Sequence, residues 1–361
     1  MTGAANYSPI GLDIHDHLVC AVQFRRGRGG PRLHAWESVP VDSANHSGDQ
    51  AATVMEALVQ LRNTVDFKGN LVCAAIPSIH VDARPIRIPG WEIAAGNSQP
   101  SAEQLTPFLP YPLDAAVYDF LNLPAIPGAE ATAPHGLLVS TRKEIANRSL
   151  ALLRAAKFSC EGLDIRATSI SRALRPLVRF DCIVELGWNL TEMVLRRDGD
   201  VILNRTLRRG MTTILGAIAS ELNVDMDTAA RFLRRYDLGH NEQTRPGEDL
   251  RGVMADGCFS QDDLSGMLFT IVEPELRELA TQIEQTLLYA RTHQYTPGVE
   301  RVILMGELLP GELAHYLSSR LECPAGPVDG TTDLPPWAAS GEIPLARFAA
   351  AAGLALRGMD T

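Results

Sequence analysis

Residues 183–210 read I-V-E-L-G-W-N-L-T-E-M-V-L-R-R-D-G-D-V-I-L-N-R-T-L-R-R-G, and this stretch decides how the rest of the chain is read. The apolar pair Ile183-Val184 leads into Glu185, Leu186 and Gly187, and a second apolar run follows at Met193-Val194-Leu195. Asp198-Gly199 marks a tight turn, because Gly, Asn and Asp accept the positive φ values that such turns need. A third run, Val201-Ile202-Leu203, continues into Thr206 and Leu207. The pattern predicts strand, acid-glycine loop, strand, turn, strand. Residues 10–36 repeat it: Ile10-Gly11-Leu12-Asp13-Ile14-His15 leads into an apolar run at 18–24, a turn at 28–30 and a further strand at 33–36. Two copies predict an internal duplication, each presenting an acid, Asp13 or Glu185, at a strand-to-strand corner.

A chain of 361 residues suits two domains of ordinary size. Its 45% hydrophobic and 21% charged content predicts a soluble globular protein with ample core. The formal charge of −10 argues against nucleic acid, because phosphate binding needs a clustered basic face. The short basic cluster Arg25, Arg26 and Arg28 reads as a solvated hairpin tip. Six cysteines are scattered with no C-x-x-C pair, which fits neither a zinc site nor a disulfide framework. Most of them read as small buried hydrophobes of a reduced, cytoplasmic protein. The N-terminus has no basic-then-apolar signal, and no apolar run approaches bilayer length.

Residues 51–65 carry apolar side chains at helical spacing, and 71–77 form a short buried strand ended by proline. The stretch 81–134 is rich in proline, and its segments 84–89 and 118–121 read as strands of a small inserted subdomain. A buried strand at 136–141, a helix at 144–156, a strand at 160–165 and a short helix at 169–179 close the first half. The second half predicts helices at 212–221, 225–236 and 261–291, the last kinked or broken at Pro274. A buried strand at 301–305, a helix at 312–321 and a small-residue helix at 348–357 follow.

This order resembles the actin-like ATPase fold, and more closely the PilM family, the actin-like component of type IV pilus assembly. The opening I-G-L-D-I at 10–14 carries the resemblance. So do Pro110-Tyr111-Pro112-Leu113-Asp114, Leu138-Val139-Ser140-Thr141-Arg142-Lys143-Glu144, Ala229-Ala230-Arg231-Phe232-Leu233-Arg234-Arg235 and Gly353-Leu354-Ala355-Leu356-Arg357. The resemblance implies an α/β chain with two ribonuclease-H-like lobes and a small inserted α/β subdomain. Its expected bounds are 1–180 for the first lobe, with the insertion at about 81–135, and 181–340 for the second, with a helical subdomain at about 212–295. Residues 341–361 would return as a helix to the first lobe.

In actin-like ATPases two acid-led hairpins hold phosphate and magnesium, and a glycine-rich loop receives the adenosine. Glycine lets backbone N–H groups approach phosphate, and an acid fixes the metal's water shell. The resemblance maps this cleft onto Asp13, His15, Asp16, Glu185, Gly187, Thr191, Arg234, Gly306 and Glu307. Here the pattern departs: His15 replaces glycine, Asp16 a small hydroxyl residue and Cys20 a lysine. Glu185 replaces aspartate, Trp188 a small residue, and Glu307 enters the adenosine loop. A β-carbon at His15 crowds phosphate, and the Asp16 carboxylate repels it. The cleft therefore reads as degenerate, with no catalytic residue and no resident cofactor expected; ATP with magnesium is the alternative. Asp13 reads equally as a turn-forming acid. His15 and His17 lack a third ligand, so no metal is expected. Trp188 either fills the cleft or covers the sheet end.

The implied function is a cytoplasmic scaffold of a type IV pilus or related secretion machine, peripheral to the inner membrane through its partners. The implied partner is the cytoplasmic tail of a PilN-like inner-membrane protein, beside other pilus-assembly components and possible further copies of the chain. An extended tail would gain main-chain hydrogen bonds and side-chain pockets. Arg84, Ile86, Ile88 and Tyr111 are the candidates for its groove. The alternatives are an actin-like ATPase with a working ATP and magnesium site, or a GspL-like cytoplasmic domain of type II secretion.

Overall fold

The computed structural model describes residues 6–15, 17–41, 50–89, 99–123, 136–237, 261–293, 295–328, 335–339, 341–357 and 359. β1 (Ile10–Ile14), β2 (Leu18–Gly27) and β3 (Gly30–Pro40) form an antiparallel meander, and helix α1 (Gln50–Thr64) leads to β4 (Leu71–Ile76), parallel to β1. The inserted subdomain follows with β5 (Asp82–Ile86), the short helix α2 (Ala102–Leu105), β6 (Ala116–Asn122) and β7 (Gly136–Arg142). α3 (Lys143–Ala155), β8 (Ser159–Ile165) and α4 (Arg166–Ala173) complete the first half.

The second half repeats the first. β9 (Phe180–Leu186), β10 (Thr191–Arg197) and β11 (Asp200–Leu207) form the second meander, joined at Asp198 and Gly199, whose φ values of 53° and 92° realise the turn predicted there. α5 (Met211–Leu222), α6 (Met226–Asp237) and α7 (Gln261–Thr292) follow, then β12 (Arg301–Met305), α8 (Gly311–Leu321), β13 (Ala325–Pro327) and α9 (Leu345–Leu356). The sheets run β3-β2-β1-β4-β8 and β11-β10-β9-β12-β13, so two antiparallel pairings precede two parallel ones in each. The short strand β13 was not read from the sequence, because three residues with Gly and Pro carry no strand pattern.

Local chemistry sets several boundaries. Asp225 accepts the backbone N–H of Thr228 at 2.7 Å and so caps α6. α2 starts on a capping box between Ser101 and Gln104. Two expectations need correction. α7 is one helix past Pro274, so of the kink or break read there the break is excluded; Leu268, Val272, Leu276, Leu279 and Ile283 bury one face in the second lobe's core and offset the missing hydrogen bond. α4 begins at Arg166, three residues before the predicted start, and ends ahead of Pro176.

The lobes share a core. Cys20, Val22 and Phe24 of the first sheet pack in one cluster with Ile183, Val194 and Val201 of the second, around α4 and α9. Both helices are small enough to sit close: a Cβ on Gly353 would meet the Ser169 carbonyl at 1.7 Å, and one on Gly11 the Ala351 carbonyl at 1.9 Å. At the far end of α4, Arg196 is completely buried; it donates twice to Asp181 and once to the Leu174 carbonyl. α4 is thereby fixed to both sheets, with its first residue pointing into the space between them. The inserted sheet, β5-β7-β6, has its own small core of Ile86, Ile88, Leu105, Phe120 and Leu138.

Candidate functional site

β1 and β9 each carry an acid one residue before their end, and both acids reach the space between the lobes. Asp13 is fully buried at the end of β1, Glu185 is buried on β9, and Glu192 on β10 is the register partner of Glu185. One side chain unites all three. Arg166 Nε donates to Asp13 Oδ1 at 3.0 Å and Nη2 to Asp13 Oδ2 at 3.1 Å. Nη2 also donates to Glu185 Oε1 at 2.7 Å, and Nη1 to Glu192 Oε2 at 3.2 Å. Ser78, from the short 3-10 turn after β4, donates its hydroxyl to Glu192 Oε2 at 2.8 Å. The opposite oxygens, Glu185 Oε2 and Glu192 Oε1, are buried without a hydrogen-bond partner.

Charge is closely opposed here. Burial pushes the Asp13 carboxyl up, but Arg166 and His15 beside it prevail and hold it well below the usual carboxylate range. Burial pushes the His15 imidazole down; the Asp13 carboxylate, 2.7 Å from Nε2, outweighs burial and the Arg166 charge and raises it. Burial raises the Glu192 carboxyl, Arg166 opposes, and Glu185 opposite adds to the rise. Burial works against the Arg166 cation, and the three carboxylates more than restore it.

Above this cluster the cleft is filled by rings and a second ion pair. His15 meets His17 at 5.6 Å between ring centroids, and His17 stacks on Trp188 at 5.2 Å with an interplanar angle of 25°. Glu307 pairs with Arg347 of α9 at 2.9 Å. The space left, bordered by His15, Gly187, Trp188, Gly306 and Glu307 among others, is about 30 Å³, room for only a few waters.

The fold thus brings together Asp13, His15, Glu185, Gly187, Gly306 and Glu307. Three other candidates behave differently. Thr191 is a neighbour of the cleft, but its hydroxyl donates to the Arg209 carbonyl at 2.7 Å and so holds the loop instead of facing a ligand. Arg234 is exposed on α6 and does not border the cavity. Asp16 lies outside the described residues.

The groove candidates also divide. Ile86 and Ile88 are 5% and 2% exposed, in the core of the inserted subdomain, so they cannot line an open groove. β5 ends at Ile86, so Ile88 lies just beyond the strand; both side chains turn inward. Arg84 pairs with Asp82 at 2.6 Å, and Tyr111 lies under the Arg142 guanidinium at 4.8 Å. A groove of about 120 Å³ does exist, on the other side of that sheet, between β6 and β7 and the ends of β4 and β8. Val81, Val117, Leu121 and Val139 give it an apolar wall. Ser140, 2% exposed, is on β7 opposite Tyr118, so its unpartnered hydroxyl faces the subdomain's own core and not the groove.

Sequence reading missed Arg166, Glu192 and Ser78. No local signal marked Arg166, because its helix was expected to begin three residues later, at 169.

The sequence matches the family described as type IV pilus assembly protein PilM over residues 11–245. Comparison with curated proteins finds no match. Among solved structures, the PilM-PilN type IV pilus biogenesis complex aligns with a TM-score of 0.70 at 20% identity, covering 98% of this chain and 99% of that one. The ethanolamine utilization protein EutJ from Carboxydothermus hydrogenoformans aligns at 0.53 and 12% identity, over 97% of this chain and 89% of its own. The likeness is one of fold, and the fold is actin-like.

Proposed function

This chain belongs to the PilM family of type IV pilus assembly proteins, and on that premise we propose that it serves the machinery as a non-catalytic scaffold. Its nucleotide cleft is occupied by its own arginine, and its groove takes the extended cytoplasmic tail of a PilN-like inner-membrane protein. The observation that carries the first half is Arg166, whose guanidinium sits among Asp13, Glu185 and Glu192 where an actin-like ATPase would place a metal and phosphate.

The residues present do not fit a magnesium nucleotide. Both oxygens of Asp13 are engaged by Arg166 and His15, so none is free to order a metal's waters. A divalent cation beside a guanidinium would be repelled by several kcal/mol even at an effective dielectric of about 20. The phosphate approach carries the His15 ring, and His17, Trp188 and the Glu307–Arg347 pair line the rest of the cleft. A hydrogen bond to a charged group contributes about 1.5–3 kcal/mol, and each 1.4 kcal/mol is tenfold in affinity, so a cleft without several of them binds phosphate far more weakly.

The groove supports the second half. An apolar wall beside β6, whose outer edge pairs with no strand among the described residues, suits an extended segment that adds main-chain hydrogen bonds. The solved relative is itself described as a PilM-PilN complex. Among the described residues no helix is long and apolar enough to cross a membrane, so inner-membrane attachment would run through the partner.

Calorimetric titration tests both halves. Magnesium-ATP should give no binding at micromolar concentration, while a synthetic peptide of the PilN-like tail should bind. A micromolar constant for ATP that disappears in Asp13→Ala would replace this reading with that of a nucleotide-binding ATPase.

A further inference from the structure

The groove and the acid cluster are built from the same two chain segments. Ile76 and Val81 line the groove, and Ser78, in the turn between them, donates to Glu192 in the cluster. Ile165 and Thr168 line the groove, and Arg166 between them reaches the other way, to Asp13, Glu185 and Glu192. The turn at Ser78–His80 is also held from the groove side, where Thr141, a lining residue, donates its hydroxyl to the His80 carbonyl at 2.9 Å. Each segment therefore has neighbouring residues in both sites, and a shift of one is felt in the other within a single residue's length.

We propose that filling the groove and the ion pairing of the cluster are thermodynamically linked, with Ser78 and Arg166 as the linking residues. The proposal rests on the tail-docking reading above and adds its regulation. Glu192 is where the linkage acts. Its Oε2 is shared between Ser78 and Arg166 and its Oε1 has no partner, so a small displacement of the turn removes one of two bonds holding a buried carboxyl. In such a site each bond polarises the others. The charged groups that face Glu192 are Glu185 from β9, Arg166 from α4 and Asp13 from β1, with His15 beside Asp13. Linkage is reciprocal: what the tail does to the cluster, the cluster does to tail affinity.

The test uses the full chain and a fluorescein-labelled synthetic peptide of the PilN-like protein's N-terminal cytoplasmic tail. Ser78→Ala and Glu192→Gln alter side chains that do not line the groove, yet each should weaken tail binding by about 3- to 30-fold. The ring resonances of His15, followed by NMR, should move when the tail saturates the wild type and stay fixed in Ser78→Ala. Glu192→Gln keeps size and an acceptor, so it supplies the measurement if Ser78→Ala folds poorly. Wild-type binding with both variants within twofold and His15 unmoved overturns the linkage while leaving docking intact. No binding by the wild type overturns the docking reading, and the linkage with it.

Discussion

Glu185 and Glu192 stand directly opposite one another on β9 and β10, both buried, and both turn a carboxyl oxygen onto the guanidinium of Arg166. Like charges at opposed positions repel even on an exposed sheet; buried, the pair persists because one internal cation sits between it and Asp13. Arg166 thus bridges acids from both lobes of an actin-like fold.

Arg166→Ala should therefore destabilise the protein by about 3–5 kcal/mol, the usual cost of leaving a buried charge without its partner. Restoring neutrality should recover most of that loss, so Arg166→Met with Asp13→Asn and Glu185→Gln should unfold later than Arg166→Ala alone. Urea unfolding followed by circular dichroism decides it. A loss under about 1 kcal/mol in Arg166→Ala, the range of exposed pairs, would show the cluster to be solvated and weak.

The pH dependence has a definite sign. The folded-state value of His15 is raised from 6.5, so its contribution is complete below that pH and is lost as pH rises through the folded value. Glu192, raised from 4.5, also makes the folded state bind protons more tightly and adds a loss in the same direction. Asp13, lowered from 3.8, contributes above that pH and loses its contribution only in strong acid. Melting temperature should fall from mildly acid to alkaline pH, and His15→Gln should flatten the fall above pH 6.5. Parallel curves for the two proteins would contradict this.

The groove's position makes a paired prediction. Val117 is 42% exposed in the groove wall, so Val117→Asp should fold normally and lose tail binding by more than about tenfold, the effect of roughly 1.4 kcal/mol. Ile88→Asp places a charge in a closed core and should unfold the inserted subdomain, at a cost of several kcal/mol. Arg84→Ala should leave tail affinity within twofold. Loss of binding in Arg84→Ala with none in Val117→Asp would move the site to the opposite face of that sheet.

Close packing of α9 gives the last prediction. A methyl group on Gly353 meets the Ser169 backbone, which cannot rotate away as a side chain could. Gly353→Ala should cost about 1–3 kcal/mol or more through displacement of α9 from α4. Gly29→Ala, where a Cβ has open space, is the control and should change little. Equal melting temperatures for the two variants would refute the close approach.

Much of this architecture was legible in the sequence because its signals are local. The Asp198-Gly199 turn and the alternating runs on either side each act over a few residues. The duplication of the acid-led hairpin follows from comparing two such stretches, and Asp13 and Glu185 were found that way. The errors have local causes too. Pro274 is a strong helix breaker in isolation, yet the packing of Leu268, Val272 and Leu276 carries α7 unbroken past it. Ile86 and Ile88 have the right spacing for a strand, but spacing does not say which face is covered.

What the sequence by itself determined is the pair of meanders, their acids and the loss of glycine at His15. What only the tertiary structure decided is the ion that fills the cleft. Arg166 lies 153 residues from Asp13, 19 from Glu185 and 26 from Glu192, and nothing in its neighbours along the chain marks it as their partner. Charge attraction acts over a few ångströms in a buried site and is silent about sequence distance. Only when α4 was packed between the two sheets did its first residue become the cation that three buried acids share.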